Sequence, residues 1–221
     1  ESGVYSETLV TKRGGTREHP IVIRSETEHG AHFKRKKGTL ARILHPYITV
    51  RGIRFDGGKR SGGIMLIGEG KNKSRGLDTP PHHVIIEHNI IENAGGWGLS
   101  IKDGEHDITI RHNIFRNTGM RKFYGEGMYF GTSAAPHHKN FGRHRTLEDI
   151  EVYGNRIERF TEDSIDIKPN TKGIHIHHNI IEDQQKNKEN RGGKNDSTMN
   201  AQGRGHLFER NIIRDARLTD V

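Results

Sequence analysis

Apolar and polar residues alternate with a period of two through short segments that recur along the chain. HHVIIEHNIIENAG (82–95), HDITIRHNIFRNTG (106–119), EDIEVYGNRIERFT (148–161), KGIHIHHNIIEDQQ (172–185) and GRGHLFERNIIRDA (203–216) are copies of one theme. ITVRGIRFDGG (48–58) is a sixth, degenerate copy. Superposing them aligns Asn89, Asn113, Asn155, Asn179 and Asn211, with Ile53 in the equivalent place. Pairs such as Val84/Ile86 and Ile174/Ile176 precede the Asn, and period two means strand.

A second theme lies between the copies: GGIMLIG (62–68), WGLSIKDG (97–104), EGMYFGTS (126–133), DSIDIKPN (163–170) and STMNAQG (197–203). It alternates too, with Ile64/Leu66, Leu99/Ile101, Met128/Phe130, Ile165/Ile167 and Met199/Ala201 read as the inward pairs. The asparagines are spaced by 24, 42, 24 and 32 residues, so the unit is 24 residues with insertions. Three short strands with tight turns fit that length, whereas a helical repeat fits neither the period nor the abundant Gly of the connections. The pattern predicts an all-β solenoid, a parallel β-helix of seven or eight coils. Equivalent side chains of successive coils stack at the strand spacing of about 4.8 Å. An inward Asn in each turn can then hydrogen-bond its neighbours as an asparagine ladder.

Composition agrees with a narrow core. Only 30% of the 221 residues are hydrophobic, which suits thin columns of Ile, Val and Leu better than a globular interior. The length reads as a single domain, 1–221, with insertions at 69–81, 133–147 and 183–196. No apolar run approaches a membrane span, and zero cysteines remove disulfides and thiolate chemistry while leaving the compartment open. An excess of 36 Lys and Arg over 28 Asp and Glu, with 16 His, points to a polyanionic partner, acidic polysaccharide or nucleic acid. The basic residues lack an aromatic-basic reading motif, which ranks nucleic acid lower.

These repeats resemble the right-handed parallel β-helix superfamily of pectate-lyase-like proteins over residues 40–216. The opening stretch, with GVY (3–5) before GTREHPIVI (15–23), resembles the first coils of β-helix polysaccharide lyases of the chondroitinase B and alginate lyase type. The resemblance implies an extracellular or periplasmic enzyme acting on a uronate-containing polysaccharide. It does not extend to every reaction signature: the G-H-G and R-I-K triplets of polygalacturonases and the Y-G-F-D-P-H of alginate epimerases are missing. Both chain ends fall inside the repeat pattern, which reads as part of a larger protein.

The strand of the second theme displays outward columns. One runs Met65, Ser100, Tyr129, Asp166, Asn200; the next Ile67, Lys102, Gly131, Lys168, Gln202; a third Gly62, Trp97, Glu126, Asp163, Ser197. The insertions frame this face, and loops on a rigid solenoid are where function concentrates. β-Elimination from a uronate needs a cation for the carboxylate, a base for the C5 proton and an acid for the leaving oxygen. Lys168 can be the base, as in β-helix lyases with a strand-borne Lys, and Tyr129 or the loop histidines His137, His138 and His144 the acid. Asp166 completes the catalytic cluster; the alternative for Asp166 and Lys168 is a plain surface ion pair. Arg143 and Arg145 suit bidentate carboxylate binding, and Lys102 and Trp97 line the same groove. Glu126 and Asp163, in stacked coils, invite a cation, Ca²⁺ or a Lys.

Histidine is the other anomaly. His88, His112 and His178 precede the ladder Asn and should stack at a turn, while His175 and His177 share one outward strand face with no third or fourth metal ligand indicated. Two functional classes remain open: a lyase, and a non-catalytic glycan-binding or fibre-forming scaffold.

Overall fold

A computed structural model describes residues 1–59, 61–68, 80–102, 104–121, 125–132, 145–185 and 197–215. Twenty-two short strands wind through seven coils of three strands each and begin an eighth. The coils are β1 Gly3–Tyr5, β2 Leu9–Val10, β3 Ile21–Arg24; β4 Ala31–Lys34, β5 Ala41–Ile43, β6 Ile48–Arg51; β7 Arg54–Asp56, β8 Met65–Ile67, β9 His82–Glu87; and β10 Ile90–Glu92, β11 Leu99–Ile101, β12 His106–Arg111. They continue as β13 Ile114–Thr118, β14 Met128–Phe130, β15 Leu147–Tyr153; β16 Arg156–Phe160, β17 Ile165–Ile167, β18 Thr171–His177; and β19 Ile180–Glu182, β20 Met199–Ala201, β21 Leu207–Glu209, then β22 Ile212–Arg214.

Every pairing is parallel, and the strands sort into three sheets that start at β1, β2 and β3. The solenoid therefore begins at Gly3, well before residue 40. No α-helix occurs among the described residues.

Inward side chains stack in columns. In the first sheet Phe33, Phe55, Ile91, Phe115, Ile157 and Ile181 lie in register, with the Tyr5 ring stacked on Phe33 at 5.0 Å between centroids. The second sheet contributes Ala41, Met65, Leu99, Met128 and Ile165 beside Ile43, Ile67, Ile101, Phe130 and Ile167, all fully buried. The third supplies Val84, Ile108, Ile150 and Ile174 beside Ile86, Ile110, Val152 and Ile176. Each such side chain contributes about 1.5–3 kcal/mol by leaving water, so a few columns suffice for a chain that is 30% hydrophobic.

One phase differs from the sequence pattern. Met65 and Ile67, not Ile64 and Leu66, pair with Leu99 and Ile101, so Leu66 faces outward beside Ser100. Accordingly Leu66 and Gly68 replace Met65 and Ile67 in the outward columns. The reason is local: Ile64–Ile67 are all apolar, so alternation cannot choose a phase. The choice falls to Gly63, where an added Cβ would overlap the Trp97 ring of the next coil.

The asparagines form a continuous buried hydrogen-bonded column. Asn89, Asn113, Asn155 and Asn179 each donate from Nδ2 to the Oδ1 of the next, at 3.0–3.1 Å. The same oxygens accept the backbone N–H of the preceding position, starting with Ile53 N to Asn89 Oδ1 at 3.0 Å. The residue before each ladder position is left-handed in all six coils: Gly52, His88, His112, Gly154, His178 and Arg210, with φ of 52–65°. His88 and His112 stack there, 5.2 Å between centroids, as turn residues.

Candidate functional site

The candidate site lies on the outward face of the second sheet, where the register aligns Arg42, Leu66, Ser100, Tyr129, Asp166 and Asn200. An outward strand residue is ordinarily half exposed. Here Ser100 is 0% and Asp166 2% exposed. Lys168 Nζ is 2.6 Å from Asp166 Oδ2. Lys102 Nζ sits 3.6 Å from the centre of the Tyr129 ring, and Lys168 Nζ 5.2 Å from it. Two ammonium groups thus flank one phenol, an arrangement favoured by the ring quadrupole. Trp97 joins from the next column, 5.9 Å from Lys102 Nζ.

The carboxylates beneath are buried as well. Glu126 is 4% and Asp163 6% exposed. Burial pushes both carboxyls up to about 7, with Glu162 and Asp166 adding like-charge repulsion to each. Ser197 Oγ donates to Asp163 Oδ1 at 2.8 Å and lowers it in part. Among the described residues, five buried side-chain polar atoms lack a hydrogen-bond partner, and four belong to this face: Arg42 Nε, Ser100 Oγ, Glu126 Oε2 and Asp166 Oδ1. Buried polar atoms are nearly always satisfied, so their concentration here singles out this face among the described residues.

These values carry a stability consequence. A carboxyl raised in the folded chain holds its proton more tightly there than unfolded. The stabilisation is complete below the unfolded value of about 4 and is lost as pH rises through the folded value of about 7. Glu126→Gln removes that loss. Thermal melts should show the variant a few degrees more stable than the parent at pH 8 and no more stable at pH 5; a loss at pH 8 would contradict the buried placement.

Glycines admit the large side chains. The Glu105 carboxyl fills the space a Cβ on Gly68 would need, and Arg145 packs over Gly104. Gly131, with φ of 86°, lies against Lys168 Cβ and Asn170 Oδ1. Asn170 ties the groove margin together: its Oδ1 accepts from Thr132 N at 3.1 Å and its Nδ2 donates to Arg145 O at 3.1 Å.

Of the residues expected from sequence, the structure brings together Lys168, Tyr129, Asp166, Lys102, Trp97, Glu126 and Asp163, with Arg145 exposed at the margin before β15. His137, His138, Arg143 and His144 lie outside the described residues, as does most of each insertion. The Asp166–Lys168 pair is not a solvated surface bridge, since Asp166 is covered. Sequence reasoning placed Ser100 in the outward column but missed Arg42 as a polar component of the face. The alternation of Ala41 and Ile43 around Arg42 was the available signal.

Comparison with known proteins agrees with this architecture. The family described as "right handed beta helix region" matches residues 48–211, well over half of the chain. A crystal structure of alginate lyase from Paenibacillus sp. str. FPU-7 superposes with a TM-score of 0.77 at 19% identity, covering 95% of this chain and 66% of that one. No curated protein sequence matches. With its parallel sheets, its stacked columns and this match, the chain belongs to the right-handed β-helix family.

Proposed function

We propose that the protein is a polysaccharide lyase that cleaves a uronate-containing polymer by β-elimination on the outward face of the second sheet. The concentration of buried, unsatisfied polar atoms around Tyr129, Asp166 and Lys168 carries the reading. The similarity to an alginate lyase fold supports it.

The chemistry follows from what the face holds. Lys102 and Arg145 place cations where a uronate carboxylate would be neutralised, which acidifies the C5 proton. Lys168, once neutral, takes that proton. The electron pair forms the C4–C5 double bond as the bond from C4 to the bridging oxygen breaks, and Tyr129 protonates the departing oxygen. Asp166 holds Lys168 in place at 2.6 Å, and Glu126 and Asp163, pushed up to about 7 by burial, carry less negative charge at neutral pH than ordinary carboxylates would.

Among the described residues Glu126, Asp163 and Asp166 supply fewer oxygens than the about six to eight that Ca²⁺ takes. Glu126 Oε2 and Asp166 Oδ1 are suitable hard donors, but an ammonium already neutralises Asp166 and Ser197 engages Asp163. No step is routed through a metal, and EDTA should leave turnover unchanged; restoration of activity by added Ca²⁺ alone would contradict this.

One observation favours a second reading, a glycan-binding scaffold: an ammonium held by a carboxylate is a binding group as it stands. Incubation with pectate, alginate and glycosaminoglycans, followed by absorbance of the unsaturated uronate, separates the two. The lyase reading expects absorbance to rise on one polymer. Retention of that glycan on an affinity gel with no rise supports the scaffold. Either activity is consistent with an extracellular or periplasmic protein.

A further inference from the structure

On the third sheet, away from the groove, side chains of three successive coils converge. Glu151 of β15 lies beside His175 of β18 in the strand register, and Tyr153 beside His177. One donor atom each of Glu151, His175 and His177 lies within 4.8 Å of the others. His177 Nε2 is 3.2 Å from Glu151 Oε1. From the next coil Glu209 of β21 reaches His175, with Oε1 3.0 Å from Nε2.

The imidazoles are held in place rather than scattered over a surface. Their centroids are 4.2 Å apart, His177 stacks on Tyr153 at 5.0 Å with planes 7° apart, and its Nδ1 lies 2.8 Å from His178 Nδ1. Engagement of Nδ1 by a neighbour fixes the tautomer of a ligating histidine and turns Nε2 outward as the donor. Each Nε2 here lies at 3.0 or 3.2 Å from a carboxylate oxygen, so nitrogen and oxygen donor atoms already point toward one another. One divalent cation neutralises both carboxylates and satisfies both nitrogens.

We propose that Glu151, His175 and His177 form a binding site for a divalent transition metal of the Zn²⁺ class, with Glu209 drawn in from its contact with His175 as the fourth donor. Two imidazoles and two carboxylates are a borderline donor set that suits Zn²⁺ over Ca²⁺ or Mg²⁺. A tetrahedral Zn²⁺ with bonds of about 2.1 Å sets its ligand atoms about 3.4 Å apart, close to the 3.0 and 3.2 Å pairs already present. The metal would staple three coils, from β15 to β21, and stabilise the fold without entering the groove chemistry. The assignment is independent of the lyase reading.

The test is calorimetric titration of the whole chain with zinc chloride, paired with thermal melts. The expected result is saturable binding at one site and a raised Tm. Affinity should fall on the order of 100-fold in His175→Gln/His177→Gln and at least about tenfold in Glu151→Gln. Glu151 is 47% exposed in its side chain, so its variant tests the site without endangering the fold. Other histidines stack elsewhere, His82 on His106 at 5.0 Å, and His82→Gln/His106→Gln should bind zinc as the parent does. Absence of saturable binding, or an unchanged isotherm in both the Glu151 and the His175/His177 variants, overturns the site. Loss of binding only in the His82/His106 variant overturns it equally.

Discussion

Lys168→Arg is expected to abolish turnover of the polymer, with kcat down by about 10²- to 10⁴-fold and the melting temperature close to that of the parent. The guanidinium keeps a cation opposite Asp166, 2.6 Å from Nζ in the parent, but cannot give up its proton and so cannot serve as a base. Lys168→Ala should be equally inactive. It also leaves the covered Asp166 carboxylate without its cation, so some loss of stability is expected there. The pair of variants separates the two effects: inactivity with a folded Arg variant assigns the base, and full activity in it refutes the assignment. Because the base must be neutral, kcat should rise with pH. Arg145→Ala, at the exposed margin, should raise KM more than it lowers kcat, if the side chain holds ground state and transition state alike.

Asn113→Ala is expected to cost about 2–4 kcal/mol, or roughly 5–15 °C in melting temperature, without reducing the activity of the folded fraction. Asn113 Nδ2 donates to Ile86 O at 2.8 Å and to Asn155 Oδ1 at 3.0 Å, and its Oδ1 accepts Asn89 N at 3.0 Å. Truncation leaves the buried Asn89 N–H and Ile86 C=O without partners where water does not reach. The column runs along the turns between the third and first sheets, away from the groove, so chemistry should be spared. Thermal melts and activity per folded molecule check both halves. A variant that melts like its parent would contradict the inward hydrogen-bonded placement.

The fold was legible because a solenoid writes its repeat into the chain. Asn89 to Asn211 recur at fixed offsets from the alternating Ile and Val, and that alignment alone orders the coils. The one misplaced phase, at Ile64–Ile67, arose where alternation vanishes and a glycine beneath Trp97 decides instead.

The candidate face was legible as a set of columns, but not its burial. Period two labels Asp166 outward, and its 2% exposure, with Lys168 Nζ 2.6 Å from it, comes from packing that alternation does not encode. The raised carboxyls of Glu126 and Asp163 depend on such packing and have no local signal. The Glu151–His175–His177 cluster was within reach. Glu151 and His175 stand at the same offset from Asn155 and Asn179, and His177 and Glu209 at the same offset from Asn179 and Asn211. His175 and His177 are visible along one strand, whereas Glu151 and Glu209 join them only down the columns of stacked coils.

Mass spectrometry of the fragments released from the preferred uronate polymer tests the lyase reading most directly. Elimination conserves the mass of the polymer, so the account predicts fragments that carry a double bond at the new non-reducing end and sum to the parent without added water. Fragments whose summed mass exceeds the parent's by one water per broken bond, or intact polymer that binds but is never cut, would contradict it.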